Sequence, residues 1–195
     1  MVRSEQRTKM EIRSRYLNYR NSLSLNERKE KSNAIWELLK REEVFQRAQN
    51  VLVYMDYRSE VMTTGLVEEL LENPNKKVFV PKVEGMDIHF YEIHTMDELK
   101  EGYQGIREPD ANSVKRFNVH MDEEGLSLIL VPGAVFDRAM GRMGYGKGFY
   151  DRYLASMRGL FKAALSFSCQ ITNHVPSAAH DIRMDMIITE NGIIK

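Results

Sequence analysis

The stretch from Leu128 to Leu154, LILVPGAVFDRAMGRMGYGKGFYDRYL, constrains this chain more than any other. The apolar run Leu128 to Val131 predicts a buried strand. It leads into four glycines, Gly141, Gly144, Gly146 and Gly148, and a helix opens just beyond, at Tyr150 and Asp151. Arg142 and Lys147 sit among the glycines. Glycine lets backbone N–H groups approach an anion closely. The helix N-terminus adds its positive end, and two cations neutralise what the amides cannot. Four glycines and two cations within eight residues favour a phosphate cradle over a plain structural turn.

The rest of the chain alternates strand and helix patterns. Residues 5–21 predict a basic helix with Lys9, Arg13 and Arg20 near one face, and Met10 and Leu17 as its apolar side. Ser24 and Glu27 fit a capping box that opens a second helix to about Lys40, with Ile35, Leu38 and Leu39 inward. Val51 to Met55 predicts a buried strand. Thr63 or Thr64 is expected to cap a helix carrying Leu66, Leu70 and Leu71. Lys77 to Val80 predicts a strand stopped by Pro81, and Ile88 to Ile93 another. Thr95 and Glu98 suggest a further capping box, and residues 101–125 a loop facing substrate. Phe149 to Met157 predicts a helix, Phe161 to Phe167 a strand, and Ile187-Ile188 with Ile193-Ile194 short closing strands. Such alternation favours a parallel-type sheet covered by helices, an α/β fold.

Length and charge set further bounds. The 195 residues fit a single domain, 1–195, and 43% hydrophobic content suffices for a sizeable core. Lys plus Arg and Asp plus Glu number 28 each, so no net field exists to hold DNA or RNA. Any anion site must be local. The lone Cys169 excludes an internal disulfide and a multi-cysteine metal site, and a buried, inert thiol is expected. The charged N-terminus lacks a signal-peptide core. No segment approaches the roughly 20 apolar residues that span a bilayer. The expectation is a cytoplasmic protein with no nucleic-acid or membrane partner. With no long exposed apolar helix, a monomer is expected.

The glycine loop matches neither common nucleotide fingerprint. In G-x-x-x-x-G-K-[ST] terms, Gly148 stands where the magnesium-binding hydroxyl should be. In G-x-G-x-x-G terms, Gly148 follows Gly146 by two residues instead of three. Asp151, near the first turn of the next helix, can supply a hard oxygen for magnesium beside phosphates. It can equally complement the helix dipole, and spacing leaves both open. His174 and His180 beside Asp181 are expected to be solvated loop residues sooner than metal ligands. Asp185 is either a metal ligand or a turn cap. Tyr150 and Tyr153 are expected to be structural, because helical spacing turns one or both inward.

The motif Pro132-Gly133, Phe136-Asp137, then Arg142-Met143-Gly144-Tyr145-Gly146-Lys147-Gly148-Phe149-Tyr150-Asp151 resembles the signature of the 5-formyltetrahydrofolate cyclo-ligase family. Met143 replaces the family's usual leucine and Phe149 a tyrosine. The resemblance spans nearly the whole chain. Lys9-x-x-x-Arg13 resembles the family's phosphate-binding pair on the first helix. Val51 to Thr63 is similar to the first strand and the folate loop, with Met55 and Glu60 on substrate positions. Gly105 to Pro109, Phe167-x-x-Gln170 and Val175-Pro176 with Asp181 and Asp185 complete the pattern.

This resemblance implies a helix-flanked sheet with N-terminal helices, similar to ribose-5-phosphate isomerase and coenzyme A transferase architecture. It implies ATP as co-substrate, magnesium, and a reduced folate as the second small-molecule substrate. Lys147 and Arg142 would carry catalysis. Lys9, Arg13 and the run Arg142 to Tyr150 would hold ATP. Met55, Glu60, Tyr145, Gly146, Lys147, Gly148 and Phe149 would hold the folate. Asp151 and Asp181 would face the metal. Two other readings stand beside it: a phosphosugar isomerase or transferase on the same architecture, and a non-catalytic nucleotide-binding module.

Overall fold

The computed structural model describes residues 2–110, 115–122, 126–157, 159–176 and 181–195. Helices α1 (Val2–Asn21), α2 (Leu25–Arg41) and α3 (Glu43–Arg47) precede the first strand. The expected capping box opens α2: Ser24 Oγ accepts from the Glu27 N–H, and Glu27 accepts from the Ser24 N–H. Strand β1 (Asn50–Leu52) leads to α4 (Thr64–Leu71), β2 (Lys77–Glu84) and β3 (Asp87–Ile93). A hairpin of β4 (Leu99–Glu101) and β5 (Arg107–Pro109) follows. Next come β6 (Ser127–Val131), β7 (Val135–Asp137), β8 (Arg142–Met143) and α5 (Phe149–Ser156). The chain closes with β9 (Phe161–Leu165), β10 (Ile171–Thr172), β11 (Met186–Thr189) and β12 (Gly192–Ile194).

Seven strands form the main sheet in the order β12-β11-β9-β6-β1-β2-β3. The five central strands pair in parallel, as the alternation predicts, and both edge strands run antiparallel. Each face of this sheet is buried. Along β6, Leu128 and Leu130 join the core under α2, α3 and α4, while Ile129 and Val131 join the core under α5. That strict alternation is the period of two of a strand covered on both sides. A smaller sheet, β10-β7-β8, sits apart, and Ile12, Tyr16 and Leu17 of α1 pack on its core.

Several expectations are corrected. Met10 is 59% exposed, so the apolar side of α1 is Ile12, Tyr16 and Leu17. Strand β2 does not stop at Pro81 but runs to Glu84. Lys77 donates to the Gln49 carbonyl and the Phe79 carbonyl accepts from Val53, so odd positions of β2 face β1. Pro81 therefore turns its missing N–H to the side that β1, ending at Leu52, has already left. Thr63 is the N-cap residue of α4, as expected, but its side chain makes no capping bond there. The Asp56 Oδ1 oxygen accepts from the Thr63 and Thr64 N–H groups, at 2.8 and 2.9 Å. Val51 to Met55 is strand only to Leu52, and Phe161 to Phe167 only to Leu165. Residues 101–125, expected as loop, contribute to the β4–β5 hairpin and two 3-10 turns among their described residues.

Candidate active site

The parallel order reverses at β1. From β1 the chain goes outward to β2 on one side, then returns to place β6 on the other. The crevice beyond the carboxyl ends of two such strands is where open α/β sheets bind ligands. The loop after β1 carries Met55 and Glu60; the segment after β6 carries the glycine loop. A cavity of about 360 Å³ lies between them, within the range of small-molecule sites. Pro81, Val83 and Ile88 of the β2–β3 pair form its apolar wall, and Tyr103, Ile106 and Glu108 of the hairpin close another side.

The glycine loop is held by short-range geometry. A Cβ on Gly133 would lie 2.5 Å from the Phe136 ring, so only glycine fits beneath that side chain. The Asp137 carboxylate accepts from the N–H groups of Ala139, Gly141 and Val175, at 2.7 to 2.9 Å. The Gln170 amide donates to the Gly133 and Ala134 carbonyls and accepts from the Phe167 N–H. These contacts join Gly133, Phe136-Asp137 and Phe167-x-x-Gln170 into one unit. Gly148 takes φ +70° at the entry to α5, a left-handed turn that aims the helix start at the cavity mouth.

Helix α1 brings Arg13 to this loop and Lys9 to Asp181. Arg13 Nε donates to the Gly144 carbonyl at 2.8 Å, and the guanidinium lies beside the open face of Gly146. Lys9 pairs with Asp181 at 3.3 Å. Lys147 lines the cavity from the exposed rim of the loop, and Tyr145, itself partly exposed, turns its hydroxyl inward to the buried Glu60 and Arg20. The Met143 side chain is buried in the small core instead. Phe149 stands edge-on to Tyr103 on the cavity wall.

Arg142 is only 3% exposed. It donates to Asp151 Oδ1 at 2.6 Å and to the Pro132 carbonyl, and lies over the Tyr150 ring. Its Nε is buried without a partner in the structure. Asp151 faces the cavity and keeps partial exposure, which suits a hard oxygen ligand shared between Arg142 and an ion. Among the described residues, no three His, Cys, Asp or Glu gather as a metal cluster. Asp185 is engaged by Lys162, through both its N–H and its ammonium. His174 is exposed, and His180 lies outside the described residues. Cys169 is half-buried where burial was expected, and that burial pushes its thiol pKa up.

Glu60 is buried. Its Oε2 accepts from the Tyr57 N–H at 2.9 Å and its Oε1 from the Tyr145 hydroxyl. Burial pushes the Glu60 carboxyl above the usual range, against the opposing pull of Tyr145 and Arg20. The Tyr145 hydroxyl is raised too, by burial and then by the Glu60 charge. Met55 lines the cavity and Tyr153 is buried in the core, as expected, while Tyr150 is half-buried on the cavity wall. One contributor was missed in the sequence: Arg20 was visible only as a basic residue seven positions after Arg13. The segment around Glu108 was expected as a substrate-facing loop; it lines the cavity as a hairpin, a form its glycines concealed.

Fold and cavity together define an α/β protein that keeps a small-molecule crevice at the switch point of its sheet. The chain belongs to the 5-formyltetrahydrofolate cyclo-ligase family, whose model matches residues 5–190. It is similar to the solved 5,10-methenyltetrahydrofolate synthetase of Aquifex aeolicus: 34% identity, TM-score 0.84, covering 96% of this chain and 92% of that one. The mitochondrial 5-formyltetrahydrofolate cyclo-ligase of Arabidopsis thaliana is 30% identical, over 77% of this chain and 62% of that protein. A 5,10-methenyltetrahydrofolate synthetase from Mycoplasma pneumoniae shares the fold, at 22% identity, TM-score 0.73, and 93% and 98% coverage.

Proposed function

We propose that this chain closes the ring of 5-formyltetrahydrofolate with ATP, yielding 5,10-methenyltetrahydrofolate, ADP and phosphate. Family membership supports the activity. The observation that carries the division of labour is the meeting of an Arg13-bound glycine loop with a cavity holding a buried carboxylate, Glu60.

A formamide carbonyl is a poor electrophile, and its oxygen leaves poorly. That oxygen attacks the γ-phosphorus and ADP departs, giving an N5-iminium phosphate. N10 of the same molecule then attacks the activated carbon, loses its proton, and expels phosphate with the formyl oxygen. Ring closure within one molecule has a large proximity advantage, so the protein's main task is phosphoryl transfer. Lys147, Arg13 and Lys9 neutralise charge on the triphosphate, and the α5 N-terminus adds its dipole. Arg142 acts from beneath, fixing Asp151 and the turn at Pro132. Magnesium on Asp151, with Asp181 towards the Lys9 side, would screen the phosphate oxygens. Glu60 accepts N–H bonds from the pteridine edge, and Met55 and Phe149 bound its rings.

Coupling of the two substrates tests the proposal. With MgATP and 5-formyltetrahydrofolate together, one ADP should form per folate consumed. Rapid ADP release without folate, or folate conversion without ATP, would contradict it.

A further inference from the structure

Arg20 is a charged side chain that the roles above do not use. It sits in the last turn of α1, only 3% exposed, about two turns beyond Arg13. Its Nε donates to Ser59 Oγ at 2.9 Å, and Ser59 in turn donates to Asn21. Its Nη1 donates to the Tyr145 hydroxyl at 2.5 Å and reaches the Gly133 carbonyl at 3.4 Å. Tyr145 then passes its own proton to a hydrogen bond with Glu60. One guanidinium thereby ties together α1, the loop after β1, the turn after β6 and the glycine loop. Arg20, Tyr145 and Glu60 all line the cavity.

We infer that Arg20 is a positioning residue for the folate: acting through Tyr145, it holds the buried Glu60 carboxylate ionised and aimed at the N–H groups of the pteridine edge. The inference rests on the pteridine-binding role proposed for Glu60. The chemistry follows from occupancy. A buried carboxylate without a cation nearby takes up a proton and loses its capacity to accept two N–H bonds. Tyr145 occupies one oxygen and the Tyr57 N–H the other, and each oxygen keeps a further lone-pair site for ligand. Among the described residues, the ionisable groups besides Tyr145 and Arg20 that act on Glu60 are Asp56 and Tyr54 from its own segment and Tyr150 from α5. None is a cation. Arg20 supplies the positive charge.

The test separates folate from ATP. Binding of 5-formyltetrahydrofolate is measured by calorimetry, and KM for each substrate by turnover. Arg20→Met should weaken folate binding roughly tenfold or more, the loss expected for a charge-assisted bond, with KM for ATP unchanged. The weakening should deepen as pH falls, because without Arg20 the Glu60 carboxyl protonates at higher pH. Arg20→Lys should restore part of the loss. Tyr145→Phe keeps the ring and breaks the link, so adding Arg20→Met to it should cost less than Arg20→Met alone. This milder variant also judges the link if Arg20→Met folds poorly. Equal effects on both substrates, a pH-independent loss, or strict additivity with Tyr145→Phe would overturn the inference. Glu60→Gln distinguishes its foundation. If Glu60→Gln weakens folate binding and Arg20→Met does not, the Arg20 role fails alone. If Glu60→Gln leaves binding unchanged, the Glu60 reading fails and the inference with it.

Discussion

Lys147 and Gly133 lie in one segment and govern different properties of it. Lys147 is at the cavity rim, so Lys147→Ala should leave the unfolding midpoint near wild type and raise KM for ATP by about tenfold or more. Unchanged ATP kinetics would remove Lys147 from the phosphate site. Gly133 is the converse case. Its Cβ position is already filled by the Phe136 ring, and both residues are buried. Gly133→Ala should destabilise the fold by about 1–3 kcal/mol, the usual cost of overpacking, in chemical denaturation. At this scale the sequence was most readable where spacing itself carries chemistry: four glycines, two cations, and Asp151 one helical turn on. It was least readable where one side chain crosses the molecule. Nothing local in Arg20 says that its partner is Tyr145, 125 positions away.

Elements were legible in proportion to their periodicity. The apolar runs of β6, β9 and β11 and the capping box of α2 follow directly from local pattern. The β4–β5 hairpin and the small sheet β10-β7-β8 did not, because strands of two or three residues carry no period to detect. Pro81 misled for a related reason: whether proline stops a strand depends on which neighbour its N–H would have met, and that is tertiary information. The small sheet matters because it is the platform for the glycine loop, and Gln170 is its strut. Gln170→Leu keeps approximate volume but strands the buried Phe167 N–H and removes the Gln170 bonds to the Ala134 and Gly133 carbonyls, leaving Gly133 only its long contacts from Arg20 and Tyr145. A loss of at least about 2 kcal/mol is expected, at 1–3 kcal/mol for each unpaired group. Because Gly133 and Ala134 then lose their tether, kcat should fall as well. A full kcat in a destabilised Gln170→Leu protein would show that the platform does not set loop geometry.

Across the whole molecule, the parallel centre of the sheet places two unrelated loops at one switch point. Order along the sheet was not legible, since α/β alternation fixes parallel pairing but not which strand neighbours β1. That centre should dominate stability: Leu130→Ala, at a fully buried position, should cost about 2–5 kcal/mol in denaturant unfolding. The last sheet turn is tied to α2 by Lys31 and Glu190 at 2.6 Å. Burial pushes the Glu190 carboxyl up, but bonds from Lys31 and Ser168 outweigh it and hold its pKa below the usual range. A lowered carboxylate pKa stabilises the fold at neutral pH, and that gain is lost as pH falls through the carboxylate range. The stability gap between wild type and Glu190→Gln should therefore be widest near neutrality and close in acid.

The most direct measurement is of the product itself. Folded protein mixed with 5-formyltetrahydrofolate and MgATP should produce a rise in the near-ultraviolet absorbance of 5,10-methenyltetrahydrofolate, and the rise should require ATP. No ATP-dependent rise from folded protein would contradict ring closure as the activity of this site.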